Sequence, residues 1–582
     1  MTKRFGVLIL AALAAGCGRK TDVGSLSEEF VYTSLAFSPV AAAAAGLHQH
    51  NGQKFDELLD DFTPAALSRQ RQFYEGFRAR LSRINRDKLD PQERADYAIL
   101  RDQTELAILD LVEVESALHN PTLYVEIVGN ALFTPSVVEY ASKPERFGHI
   151  IARLGKVPMF LDQAGTNLSS APAIWTQVAA EENQGNINLV DKVLREGVPA
   201  ELRDRYNTAA KPALEAMHKF QDYLKRRLST RDQFDWRLGS ARYQRKFQHA
   251  MAGGLDAATT LRNAEAELAQ TRARMLELAR PLHAGIAADH GDHADLEPHE
   301  RENRIIGEAL GEIARRRSTR ESYMGDARTA LEEATRFVRE KNLLALPPTD
   351  NLKVIETPEF MRGIYAVGGF NPAPALEPKL GAFYWVTPIP ATWAQERVDS
   401  KLREYNFYKL KLLTIHEAMP GHYVQFEFAN AVEPKNRRIL RGVYGSGPYI
   451  EGWAQYATRA MLDAGFDRSP QMELTFLKEE LRVLANAILD IRLHMLDMTE
   501  KEALDLMQGQ TFQEKEEATA KLQRAKLSSC QLPTYYVGWR TWTKTRDEYR
   551  QKKGGGFNVT EFHNQALRQG AVPLADLGTL LQ

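Results

Sequence analysis

Residues 256–275 read DAATTLRNAEAELAQTRARM, and this stretch sets the fold class. Asp256 stands where a helix N-cap belongs, since its carboxylate can accept from the orphan amides of a first turn. Leu261, Leu268 and Met275 then recur at seven-residue spacing, one stripe of an amphipathic helix packed on a core. Outward from it the chain keeps the same character, with long runs that alternate apolar and charged residues and few turn clusters. The expected fold is mainly α, a large helical bundle. After a linker at 18–25 it forms a single domain over 26–582, with an N-terminal helical half to about 345 and a site-bearing half from about 346.

Composition bounds what such a bundle can do. The 582 residues are 43% hydrophobic, enough to bury a large core. Lys plus Arg number 75 against 76 for Asp plus Glu, a formal charge of -1, so nothing favours a polyanion and nucleic acid is excluded as a partner class.

Two segments break the pattern. Val354 to Val386 is dense in Gly and Pro and runs into Ala382-Phe383-Tyr384-Trp385-Val386, a stretch suited to a strand, so a small β-sheet is expected just before the site. An edge strand there offers free backbone groups to an extended peptide. Leu282 to Glu300 carries His283, His290, His293 and His299, whose spacing keeps to no single helical face. An exposed loop is the expectation there, rather than a metal site.

At the N-terminus, Lys3 and Arg4 precede an apolar run from Phe5 to Ala15, too short to span a bilayer. Ala14-Ala15-Gly16-Cys17 resembles a lipobox, although Leu13 lies four residues before Cys17 where the lipobox places Leu three before. Residues 1–17 are therefore expected to be a lipoprotein signal peptide with Cys17 acylated, anchoring the chain to a membrane of the cell envelope, facing the periplasm or exterior. Cys530 alone then remains, which excludes an internal disulfide and leaves a buried thiol.

The chemistry concentrates in His416-Glu417-Ala418-Met419-Pro420-Gly421-His422, after a helical approach from Lys409 to Ile415. Two imidazoles hold a zinc ion while leaving positions open, and an adjacent carboxylate can take a proton from water. The histidines are six apart, however, not four. At about 100° per residue, a regular helix turns the second roughly 120° away from the first, so the helix must be distorted. Pro420 removes a donor and clashes with the turn before it, while Gly421 permits unusual dihedrals. The third ligand expected is Glu451, in the first turns of a buried helix that begins near Pro448. A carboxylate buried there needs a partner, and Zn2+ supplies one.

These paired segments, H-E-A-x-P-G-H and E-G-W-A, resemble a widespread bacterial family catalogued as a domain of unknown function among zinc metallopeptidase-like proteins. Further matching pieces are Leu118-His119-Asn120-Pro121, Arg153-Leu154 with Val157-Pro158, Leu238-Gly239 before Tyr243, Glu356-Thr357-Pro358, and Phe562-His563 with Gly570-Ala571-Val572-Pro573-Leu574. The family is similar to the gluzincins, such as thermostable carboxypeptidases and angiotensin-converting enzyme. The resemblance implies a helical bundle enclosing a deep cleft, with His416, His422 and Glu451 as metal ligands and Glu417 as general base. It also implies roles for Asp490-Ile491-Arg492-Leu493-His494 and Gln531 to Gly538, in which His494 and Tyr535 are candidate donors to an oxyanion. Arg492 and Cys530-Gln531-Leu532-Pro533 depart from the family pattern.

The expected function is a zinc metallopeptidase-like hydrolase acting on short peptides or other small amides. A zinc amidase or esterase, and a catalytically silent envelope binding lipoprotein, are the other readings. The silent module has no use for Glu417.

Overall fold

A computed structural model describes residues 22–231, 234–252, 255–286, 291–348, 350–362 and 367–581. The lipoprotein signal and Cys17 lie outside these. Asp256 caps as its position predicts, accepting from the Thr259 amide at 2.8 Å. The helix it opens, Ala257–Ile286, buries Ala264, Leu268, Thr271, Met275 and Ala279 along one face, and that stripe leans on the long helix Pro470–Met495. The chain then turns back along it as Pro298–Ile313.

Almost everything described is helix. Apart from a short hairpin pairing Gln49–His50 with Gln53–Lys54, strands fall where Gly, Pro and aromatic residues replace the helical pattern. Ala382–Val386 is a central strand, fully buried, parallel to Leu352–Glu356 and antiparallel to Gly368–Asn371. Gly368 is obligatory there, because a Cβ would sit 2.4 Å from the Trp385 carbonyl oxygen. Among the described residues no helix is long and apolar enough to cross a membrane.

Packing divides the chain elsewhere than at residue 345. One core joins residues from Leu238 to Leu344 with those from Ala382 to Leu581. A second gathers Tyr124 to Leu228 and reaches across to Phe360, Phe383 and Trp385. A third packs Val23 to Leu100 against Ile439 and Leu440. The helices from 239 to 341 thus join the site-bearing core: Ala257–Ile286 and Pro298–Ile313 pack on Pro470–Met495, Tyr323–Lys341 packs on Phe407–Glu417, and Gly239–Ala250 bridges Pro470–Met495 and the earlier helix Pro91–Leu109. The expected linker also shortens: Asp22 caps a helix Val23–Phe37 by accepting from the Ser25 amide at 2.8 Å.

Buried arginines tie segments distant in sequence. Arg153 donates to the carbonyls of Phe55, Leu58 and Ala131 at 3.1, 3.2 and 2.7 Å. Arg441 and Arg437 both donate to Asp96, at 2.8 and 2.7 Å. The guanidinium fork suits such multiple acceptors.

Helices Gly447–Asp463 and Pro533–Lys553 approach backbone to backbone. A Cβ on Gly452 would lie 2.3 Å from the Gly538 carbonyl carbon, and one on Gly538 would lie 2.0 Å from the Pro448 carbonyl oxygen. Trp542 locks the pair by donating to the Tyr449 carbonyl at 3.0 Å. Even one methyl in this contact should separate the helices. Gly538→Ala is expected to destabilise the protein by about 1–3 kcal/mol, measured as a lowered urea midpoint. An unchanged midpoint would show that the backbones can part freely.

Candidate metal centre

The helix carrying the motif, Phe407–Glu417, starts on Asn406, whose side chain accepts from the Tyr408 and Lys409 amides at 3.1 and 3.2 Å. It stops at Glu417, and a new helix, His422–Ala429, begins five residues on. The six-residue spacing is thus resolved by a break between two helices rather than by distortion within one. At the break the Gly421 amide donates back to the Ile415 carbonyl at 2.9 Å. Only glycine fits there, since a Cβ would stand 1.9 Å from the His416 carbonyl oxygen and 2.3 Å from that of Ile415. Trp453 pins the turn from the facing helix, its indole N–H donating to the Pro420 and Gly421 carbonyls at 3.0 and 3.2 Å. The two imidazoles end 4.8 Å apart, centre to centre, and nearly perpendicular.

Glu451 meets them from the opposite wall, in the first turns of Gly447–Asp463. Its Oε2 lies 3.6 Å from His416 Nε2 and 3.4 Å from His422 Nε2. That oxygen is buried and makes no hydrogen bond among the described residues. Donors about 2.0–2.2 Å from a tetrahedral zinc stand about 3.3–3.6 Å from one another, which is the spacing found here. An orphaned carboxylate oxygen at that distance from two imidazole nitrogens fits a shared cation better than it fits hydrogen bonds. Burial pushes the Glu451 carboxyl upward, but contact with His416 and His422 outweighs it and holds the group well below the ordinary carboxylate range. For His422 burial acts downward, and Glu451 and Glu417 raise it overall. Gln531 steadies the other carboxylate oxygen, donating to Oε1 at 3.4 Å.

A cavity of about 90 Å³ opens beside His416 and Glu417, with Tyr535 and Gly368 in its wall. The Tyr535 ring lies 6.1 Å from that of His416 and is nearly parallel to it. Burial and the charge of Glu451 push its hydroxyl up to about 12, so it keeps its proton at neutral pH. The far wall carries Lys409, Arg482, Lys521 and Arg524 against Glu479 and Glu517. Glu479 is paired with Lys409 and with Arg482. Burial and Arg482 together push Lys521 down to about 7. None of these cations was singled out from sequence, because a charged residue inside an amphipathic helix reads as a solvated face.

Two expectations need correcting. His494 does not enter the site. Its Nε2 faces the Ser528 and Ala525 carbonyls at 3.0 and 3.3 Å, and its Nδ1 accepts from the Leu238 amide at 3.4 Å. With both nitrogens engaged by backbone, the ring serves packing beside Tyr243 and Trp236 rather than an oxyanion. The His-rich run is likewise no simple exposed loop, since His283 is buried in the last turn of Ala257–Ile286. His290 lies outside the described residues. Cys530 is buried, as expected of it.

A mainly helical chain in which two histidines and a glutamate converge on one point is what the fold and site define. It belongs to the family of bacterial proteins of unknown function DUF885, whose profile matches residues 39–581. A presumed lipoprotein of unknown function from Shewanella oneidensis superposes with a TM-score of 0.76 at 27% identity, covering 96% of this chain and 99% of that one. A presumed lipoprotein from Colwellia psychrerythraea shares the fold, with a TM-score of 0.74, 17% identity, and coverage of 96% and 98%. Among curated proteins, none matches the chain.

The break between the two histidine helices should be the weakest point of the site. Gly421→Ala is expected to lower zinc affinity by at least about tenfold, in line with the loss of ligand orientation, as read by competition with a chromogenic chelator. Wild-type affinity in that variant would show that the turn does not aim the ligands.

Proposed function

We propose that this protein is a zinc-dependent hydrolase, a metallopeptidase-like enzyme that cleaves short peptides. The observation that carries this reading is the buried, unbonded Glu451 Oε2 held 3.4 and 3.6 Å from two imidazole nitrogens, with Glu417 next to His416 on the wall of the same cavity. His416, His422 and Glu451 would hold the ion, leaving a position open. Zinc supplies Lewis acidity there, polarising a carbonyl and lowering the pKa of water.

The chain's own groups do the rest. Glu417 accepts the proton of the attacking water and passes it to the leaving amine. Tyr535, protonated at neutral pH, donates to the oxygen on which charge develops. The edge strand Gly368–Asn371, with Gly368 in the cavity wall, offers backbone groups to an extended substrate. Four cations facing two carboxylates on the far wall favour a substrate that carries an anionic group beside the scissile bond. The two solved relatives are presumed lipoproteins, and with the lipobox-like Cys17 this supports a lipid-anchored position in the cell envelope.

Glu417→Gln is expected to keep its zinc while losing about 10²–10⁴-fold in turnover, measured on a peptide library alongside elemental analysis. Turnover at the wild-type rate would remove Glu417 from the mechanism. A second expectation concerns pH. Lys521 is charged below about 7 and neutral above it, so KM for a substrate with an anionic group should rise, by up to about tenfold between pH 6 and 8. Lys521→Met should flatten that profile. A profile of the same shape in the variant would assign the titration to another group.

A further inference from the structure

Among the described residues, a cluster outside the catalytic cleft also brings ligand atoms together. His283 comes from the end of helix Ala257–Ile286, Glu308 from the middle of Pro298–Ile313, and His293 from the turn that joins them. His283 Nε2 lies 2.8 Å from Glu308 Oε2, His293 Nε2 lies 3.0 Å from the same oxygen, and the two nitrogens are 3.3 Å apart. A single ion about 2.0 Å from all three atoms would lie about 1 Å above their plane, and the two shorter separations would open toward the tetrahedral spacing once it was bound.

The loop is built to present His293. Its backbone sits in the left-handed region at φ 57°, two residues after Gly291 at φ 71°, a conformation that costs a non-glycine residue energy. The surroundings enforce it. Arg301 donates to the Asp292 carbonyl at 2.8 Å and pairs with the Asp292 carboxylate. The His293 carbonyl accepts from the Leu296 amide at 3.1 Å. Two helices and a clamped turn thus converge three N and O donors of the kind that suit zinc and its first-row neighbours.

We propose that His283, His293 and Glu308 form a second metal site, a structural clip for a divalent cation of the zinc class that closes the hairpin between the two helices. Its ion would join the C-terminal end of the helix that supports Pro470–Met495 to the body of the returning helix.

The test is zinc content after equilibration of the full chain with zinc chloride and removal of the excess, in wild type, Glu451→Ala, Glu308→Ala and the double variant. The expected values are about two, one, one and zero ions per chain. His293→Asn, a change in the turn rather than in a helix, should match Glu308→Ala and guards against misfolding of the latter. Zinc should also raise the melting temperature of Glu451→Ala but not of the double variant. The clip is overturned if neither Glu308→Ala nor His293→Asn loses an ion relative to its parent, which would leave the three side chains as a hydrogen-bonded cluster only. The two sites fail separately, since zinc lost with Glu308 but not with Glu451 would sink the catalytic reading and leave the clip standing.

Discussion

The amide of Gly421 reaching back to the carbonyl of Ile415 is the contact around which the centre is arranged. It folds the chain so sharply that one helix ends on Glu417 and the next begins on His422, which turns a spacing unworkable on one helix into two rings facing a common point. The turn is held from outside by Trp453. Because Trp453 shares a helix with Glu451, the group that locks the histidines in place also brings in the third donor. The Gly452 and Gly538 backbone contact then sets that helix against the one bearing Tyr535. Geometry at the centre is therefore a property of close backbone packing, which admits little adjustment.

Charge is distributed with the same economy. The protein is close to neutral overall, yet the wall beside the centre concentrates Lys409, Arg482, Lys521 and Arg524 around Glu479 and Glu517. Burying such groups is costly unless they are paired, and the pairing of Glu479 with both Lys409 and Arg482 offsets part of that cost. Net charge, read over the whole chain, carries no trace of this local excess.

Several short stretches that looked distinctive in the sequence prove to be structural fasteners. Asn120 caps Pro121–Val137, accepting from the Thr122 amide at 3.0 Å. His563 bridges the Tyr456 hydroxyl and the Leu343 carbonyl at 2.9 and 2.8 Å. Thr357 accepts from Thr387 at 2.8 Å beneath the small sheet. These residues hold elements in register around the centre without facing the cavity, as does His494. Residue type alone could not separate His494 from a catalytic histidine, because both roles call for a buried imidazole with engaged nitrogens.

The sequence by itself determined what depends on neighbours along the chain. That includes the mainly helical class, the cap at Asp256, the strand at Ala382–Val386, and a helical irregularity near Pro420 and Gly421. These follow from steric and hydrogen-bonding preferences that act within a few residues. Only the tertiary structure decided what depends on distance across the fold: where the packing divides, which charged helical residues line the cavity, that His494 faces backbone, and that His283 and His293 meet Glu308. A periodic pattern says which face of a helix is buried but not which partner that face meets, and the partner is set by the packing of whole helices against one another.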